Sequence, residues 1–187
     1  GPVTCSREDL MRARFSKGSM APKGFMFYLP DAPPVIDYLP AIQKGIREVC
    51  HVMIHFPFPL IGVRGIKTFA GIMRRWPEKY DAHKAAVYLA PTIRMQEQAS
   101  TGRGGFRLMY AAFLHEIAHL CGDDRYMQIS KRMIEVGDLW REFAVHGARI
   151  CKNRASEQDS LKQLSDIILE CAARERQLYK DLWGIVR

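Results

Sequence analysis

The stretch GGFRLMYAAFLHEIAHLCGDD, residues 104–124, decides how this chain is read. Between a glycine pair and a Gly-Asp-Asp sequence runs a series of Leu, Met, Ala and Glu, residues that favour a helix. Gly122 supplies a stop, and Asp123-Asp124 supplies a cap for a following helix. At about 100° per residue, Phe106, Tyr110, Phe113, Ile117 and Cys121 form one apolar stripe. His115 and His119 fall nearly opposite it, alongside Leu108, Ala111 and Ala112, and face either a second packed layer or solvent.

Outward from this helix the pattern repeats. Residues 125–151 read as one long helix, Asn153-Arg-Ala-Ser156 as a turn, and residues 157–183 as a last helix. Upstream, residues 35–56 are apolar at helical spacing, with Pro40 either tolerated early or marking the true start. Residues 61–76 give a shorter helix, Pro77 opens another segment, and Pro91 breaks or kinks it. Ser6 would cap a short helix ending near Arg14, with Asp9 at its third position. The Lys/Gly/Pro-rich sequence after it contains FMFYL, residues 25–29, a short strand or a tethering arm. The expected fold is mostly α: a multi-helix bundle over residues 35–187, preceded by a non-helical arm or linker over 1–34. Gly1-Pro2 reads as the remnant of a cleaved tag, which makes the arm the link to an upstream domain.

A chain of 187 residues with 48% hydrophobic and 26% charged residues can bury one core of ordinary composition. No run reaches the length of a membrane span, and no signal-peptide h-region is visible. The five cysteines are odd in number and without a CxxC, which disfavours a disulfide framework or zinc ribbon and fits a reducing, cytoplasmic setting. The net charge of +8 suits an anionic partner. The basic residues are scattered and no nucleic-acid module signature appears, so nucleic acid ranks low among those partners.

His115, Glu116 and His119 spell HExxH, the spacing by which a helix offers two imidazoles to zinc and a carboxylate to its water. In that reading Glu116 is the general base and the third ligand comes from the next helix, as Glu142, Glu135 or His146. The longer metzincin pattern fails, because Arg125 stands where its last histidine belongs. The competing reading is two unliganded histidines on a packing helix.

Three stretches resemble a known family. They are SREDLMRARFSKGSMAPKGFMFYL (6–29), IGVRGIKTFAGIMRRWP (61–77) and STGRGGFRLMYAAFLHEIAHLCGD (100–123), the last followed by LWREFA (139–144). In combination and order they look like the C-terminal helical region of butirosin-biosynthesis protein H-like proteins, over nearly the whole chain. In that pattern Glu116 matches an acidic position, whereas His115 and His119 stand where the family has no histidine, which favours no metal cofactor over zinc. The resemblance implies an upstream domain with catalytic Cys and His residues that takes an acyl group from a carrier-protein thioester. None of Cys5, Cys50 or Cys171 maps onto that nucleophile, so the resemblance assigns no catalytic residue to this chain. It implies instead contacts to an acyl carrier protein or a phosphopantetheine-linked substrate.

The residues nominated for such contacts lie around the glycine-rich loop. Gly102, Gly104 and Gly105 let backbone N–H groups approach a ligand, Arg103 and Arg107 add charge, and Tyr110 stands one turn further on. The alternative is a bent interhelical turn with Tyr110 in the core. Arg64 and Lys67 form a second basic edge or a solvated face. Trp140 and Trp183 read as core anchors and Trp76 as a helix stop packed on a neighbour.

Overall fold

The computed structural model describes residues 4–18, 21–25, 37–97, 104–156 and 159–187. The chain divides into two units, residues 1–36 and 37–187. The first holds α1 (Arg7–Arg14), capped as its sequence predicts: the Ser6 hydroxyl accepts from the Asp9 amide at 3.0 Å. Because α1 buries no residue, its stability rests on caps and on the Arg14 guanidinium donating to the Gly24 carbonyl. Most of the FMFYL segment lies outside the described residues.

The regular structure of the second unit is helical, with no strand among the described residues. Helix α2 (Tyr38–Cys50) starts where the Asp37 carboxylate accepts from the Leu39 amide, with Pro40 in its first turn. It passes into a π-helical turn, His51–His55. Then follow α3 (Gly62–Arg74), the single turn α4 (Trp76–Lys79) carrying Pro77, and α5 (Ala82–Glu97). Pro91 does not break α5, which continues on both sides of it. Helix α6 (Arg107–Cys121) ends on left-handed Gly122, and Asp123 caps α7 (Asp124–Cys151) by accepting from the Arg125 amide. Helix α8 (Leu161–Val186) begins later than expected, because the Ser160 hydroxyl accepts from the Gln163 amide and sets its start.

The two longest helices form an antiparallel spine, as the pairs Arg132–Asp181, Trp140–Glu175 and His146–Asp159 show. Two half-cores pack against it. In one, Ile46 and Cys50 of α2 and Leu114 and Ile117 of α6 meet Met133, Leu178 and Leu182 of the spine. In the other, Ala70 and Met73 of α3 and Leu89 of α5 meet Phe143, Leu164 and Ile168. Each fully buried aliphatic or aromatic side chain here contributes about 1.5–3 kcal/mol of transfer free energy, which makes these interiors the main source of stability.

Close backbone approach sets the hairpin of α6 and α7. The Ser130 hydroxyl donates to the Ala111 carbonyl at 2.7 Å. One turn nearer the start of α6, a Cβ on Gly137 would lie 2.7 Å from Leu108 Cδ2, so only glycine lets α6 come this near without displacing that side chain. Among the described residues, no helix is long and apolar enough to cross a membrane.

Candidate functional site

The entrance to α6 is built from three consecutive left-handed residues, Gly104 (φ 58°), Gly105 (φ 57°) and Phe106 (φ 70°). Two are glycines, for which this conformation is cheap; Phe106 adopts it at a cost and leaves its ring half in solvent. A Cβ at Gly104 would sit 2.9 Å from the Gly137 carbonyl oxygen, so the loop lies directly on the α7 backbone. Gly102 and Arg103 lie outside the described residues.

The turn delivers Arg107 inward. Its Nε and Nη2 donate to the two carboxylate oxygens of Glu175 at 2.9 and 3.2 Å, and Nη1 donates to the Gly105 carbonyl at 2.8 Å. The Trp140 indole N–H donates to the same carboxylate at 2.7 Å, while its ring lies under the guanidinium, 4.7 Å from centroid to Cζ. Glu175 has no exposed surface. Burial opposes the charge on Arg107, but the Glu175 carboxylate outweighs it, and the Arg107 pKa is raised above its usual value. The guanidinium nominated for an anionic ligand is thus engaged by an internal carboxylate. A lone charge here would be costly to desolvate; the bidentate pair plus the indole satisfies it.

Glu175 and Trp140 are the residues the sequence reading does not foresee as a unit. A signal was present: Glu175 falls in the apolar register of α8 with Cys171, Leu178 and Leu182. A carboxylate at such a position calls for a buried cation.

Tyr110 packs against Phe113 and Tyr179, with ring centroids 5.7 and 6.2 Å away. Its hydroxyl is buried with no hydrogen-bond partner among the described residues, and burial, then Cys50 and Tyr126, push the phenol above its usual pKa. It therefore lines the core rather than an open binding surface.

The apolar stripe expected on α6 is displaced. The buried face is Ala111, Leu114, Ile117 and Ala118, whereas Phe106 and Phe113 are exposed. Small residues take the centre because the hairpin is close-packed there. His115, Glu116 and His119 face solvent, with the imidazole centroids 4.8 Å apart. The proposed third ligands do not reach them. From the pairing of Ala111 with Ser130 and the helical rise, Glu142 lies about 24–30 Å away along the hairpin and Glu135 about 14–20 Å. Glu135 instead pairs with Arg174 at 3.4 Å. His146 places Nδ1 against Asp159 at 2.5 Å and Nε2 3.8 Å from Glu142. No group of three His, Cys, Asp or Glu side chains is positioned to hold a metal ion among the described residues. Among the described residues, the fold does not bring His115, His119 and Glu142 together.

Asp159 organises the connection into α8: it accepts from the Ser156 hydroxyl at 2.6 Å and the Ser156 amide at 2.7 Å and faces His146 and Arg149. These bonds, the Ser156 hydroxyl first, hold its carboxyl well below the usual range. The thiols of Cys50 and Cys171 are fully buried, and burial pushes both up to about 12. At neutral pH they are protonated and are not nucleophiles. Trp140 and Trp76 are buried as expected; Trp183 is only half-buried and carries the His55 ring 5.1 Å from its own. Arg64 and Lys67 are both exposed.

Fold and polar centre together define an all-helical domain built around a buried arginine–glutamate pair. The chain belongs to the family described as Domain of unknown function (DUF4872), which matches residues 8–182. No curated protein and no solved structure matches it.

Proposed function

We propose that this chain is the helical partner region of an acyl-transfer or thioester-processing enzyme of the butirosin-biosynthesis protein H type. Its role is to bind an acyl carrier protein or its phosphopantetheine-linked substrate beside a cysteine catalytic domain, in the cytoplasm. The observation that carries the reading is the ordered set of three sequence stretches, spread over nearly the whole chain. The net charge of +8 supports it, since it complements an acidic partner. So do the buried thiols: Cys50 and Cys171 are held protonated in the core, which fits a chain that contributes binding rather than the nucleophile. Within this reading the entrance of α6 shapes the domain, and the contacts to the carrier come from exposed basic residues.

The test is to titrate the chain into an acylated carrier protein while following both binding and thioester content. Saturable binding in the micromolar range, weakened by salt, with the thioester left intact is the expected result. Thioester cleavage by the chain alone would show that it carries its own nucleophile. No binding up to about 1 mM carrier would remove the carrier from the reading.

A further inference from the structure

Where α2 passes into the π-helical turn, a groove of about 550 Å³ opens between this segment and α8, lined by Lys44, Arg47, Glu48, His51, Val52 and Trp183. We infer that this groove is the docking site for an acidic amphipathic helix of a protein partner. On the functional reading above, on which this inference rests, that partner is the carrier protein.

The groove has an apolar floor and a basic rim. A π-turn accommodates an extra residue and re-aims the side chains that follow; here Val52 is left 42% exposed beside the half-buried Trp183 indole. Lys44, Arg47 and His51 stand at i, i+3 and i+7, on one face of the helix that leads into the turn. Neither Lys44 nor Arg47 forms a salt bridge among the described residues, whereas Arg74, Arg125, Arg132 and Arg174 each hold a carboxylate. The rim continues on α8, where Arg176 and Lys180 share the face of Trp183 at helical spacing, both exposed and neither salt-bridged among the described residues. An apolar strip flanked by unpaired cations complements a helix with an apolar ridge and acidic flanks.

Two features favour a protein helix over a nucleic acid. The His55 ring packs against the Trp183 indole at 5.1 Å, which takes up part of the surface a base would need for stacking. Glu48 stands in the lining between Arg47 and His51, where it repels an unbroken string of phosphates but can be matched by a mixed-charge protein surface.

The test compares holo-carrier binding by the wild-type chain, by Lys44→Glu/Arg47→Glu, and by Lys152→Glu/Lys162→Glu. The last pair makes the same charge change at exposed positions beside the α7–α8 connection, at the far end of α8. All four substituted side chains are exposed, and a thermal melt confirms folding. The groove variant is expected to lose tenfold or more in affinity and the distal variant less than about threefold. Equal losses in both would overturn the groove while leaving carrier binding standing. A wild-type chain that binds no carrier would overturn the functional reading and this occupant together. Binding of a single-stranded oligonucleotide that disappears in Lys44→Glu/Arg47→Glu would assign the groove to nucleic acid and overturn the inference.

Discussion

Arg107 and Glu175, 68 positions apart in sequence, meet in a bidentate ion pair where the two half-cores adjoin. Arg107 opens α6, which belongs to one half-core. Glu175 lies on α8 between Cys171, which faces the other half, and Leu178, which faces the first. Trp140 joins them from α7. A pair this deep specifies how three helices assemble, because any register that separates its members strands a charge in the interior.

Removing one member of this pair should therefore cost more than removing both. Glu175→Ala and Arg107→Ala are each expected to lower stability by about 3–5 kcal/mol, and Arg107→Met/Glu175→Leu to recover much of that loss. Denaturant unfolding followed by tryptophan fluorescence measures all three. Additive losses in the double variant would show that the pair is not coupled.

The left-handed entrance to α6 should be intolerant of a side chain. Gly104→Ala is expected to cost about 1–3 kcal/mol, since the Cβ meets both a φ of 58° and the Gly137 carbonyl. Gly122→Ala, at a left-handed position with open space around it, should cost less, about 1 kcal/mol. The ranking of the two melting temperatures is the readout.

Acid should loosen the connection between α7 and α8. The carboxyl of Asp159 is held below its unfolded value, so its contribution is present above about pH 4 and fades as pH falls further. Stability measured from pH 6 down to pH 2 should fall less steeply in Asp159→Asn than in the wild type. Parallel curves would rule out Asp159 as a source of the acid sensitivity.

Thiol chemistry should separate the cysteines by burial. Cys5 is exposed and should alkylate with iodoacetamide in the native protein, while Cys50 and Cys171 should react only after unfolding. Peptide mapping by mass spectrometry distinguishes them. Rapid native labelling of Cys50 would show that the α2–α6 half-core opens readily.

The HExxH residues should be dispensable for stability and should hold no zinc. His115→Ala/His119→Ala is expected to melt within about 2 °C of wild type, as surface substitutions usually do. Plasma mass spectrometry should find no stoichiometric zinc in either protein. One zinc per chain, lost in the double variant, would require a third ligand from outside the described residues.

Much of this architecture is local and therefore legible in the sequence. Ser6, Gly122 and Asp123 mark helix ends through short-range hydrogen bonds and a left-handed φ, and the apolar periodicity of α7 and α8 announces two long buried faces. Local chemistry also carries the helical fold class. The direction in which α6 faces was not legible, because its burial is decided by the approach of α7 at Ala111 and Gly137 rather than by its largest side chains. Nor was the fate of Arg107, which reads as a surface cation until α8 brings Glu175 to it. The same limit applies to HExxH: its spacing places two imidazoles on one face, but only the packing of α6 against α7 decides whether a third donor can arrive. Short-range rules set where helices start and stop; the pairing of distant charges and faces is set by close packing in three dimensions.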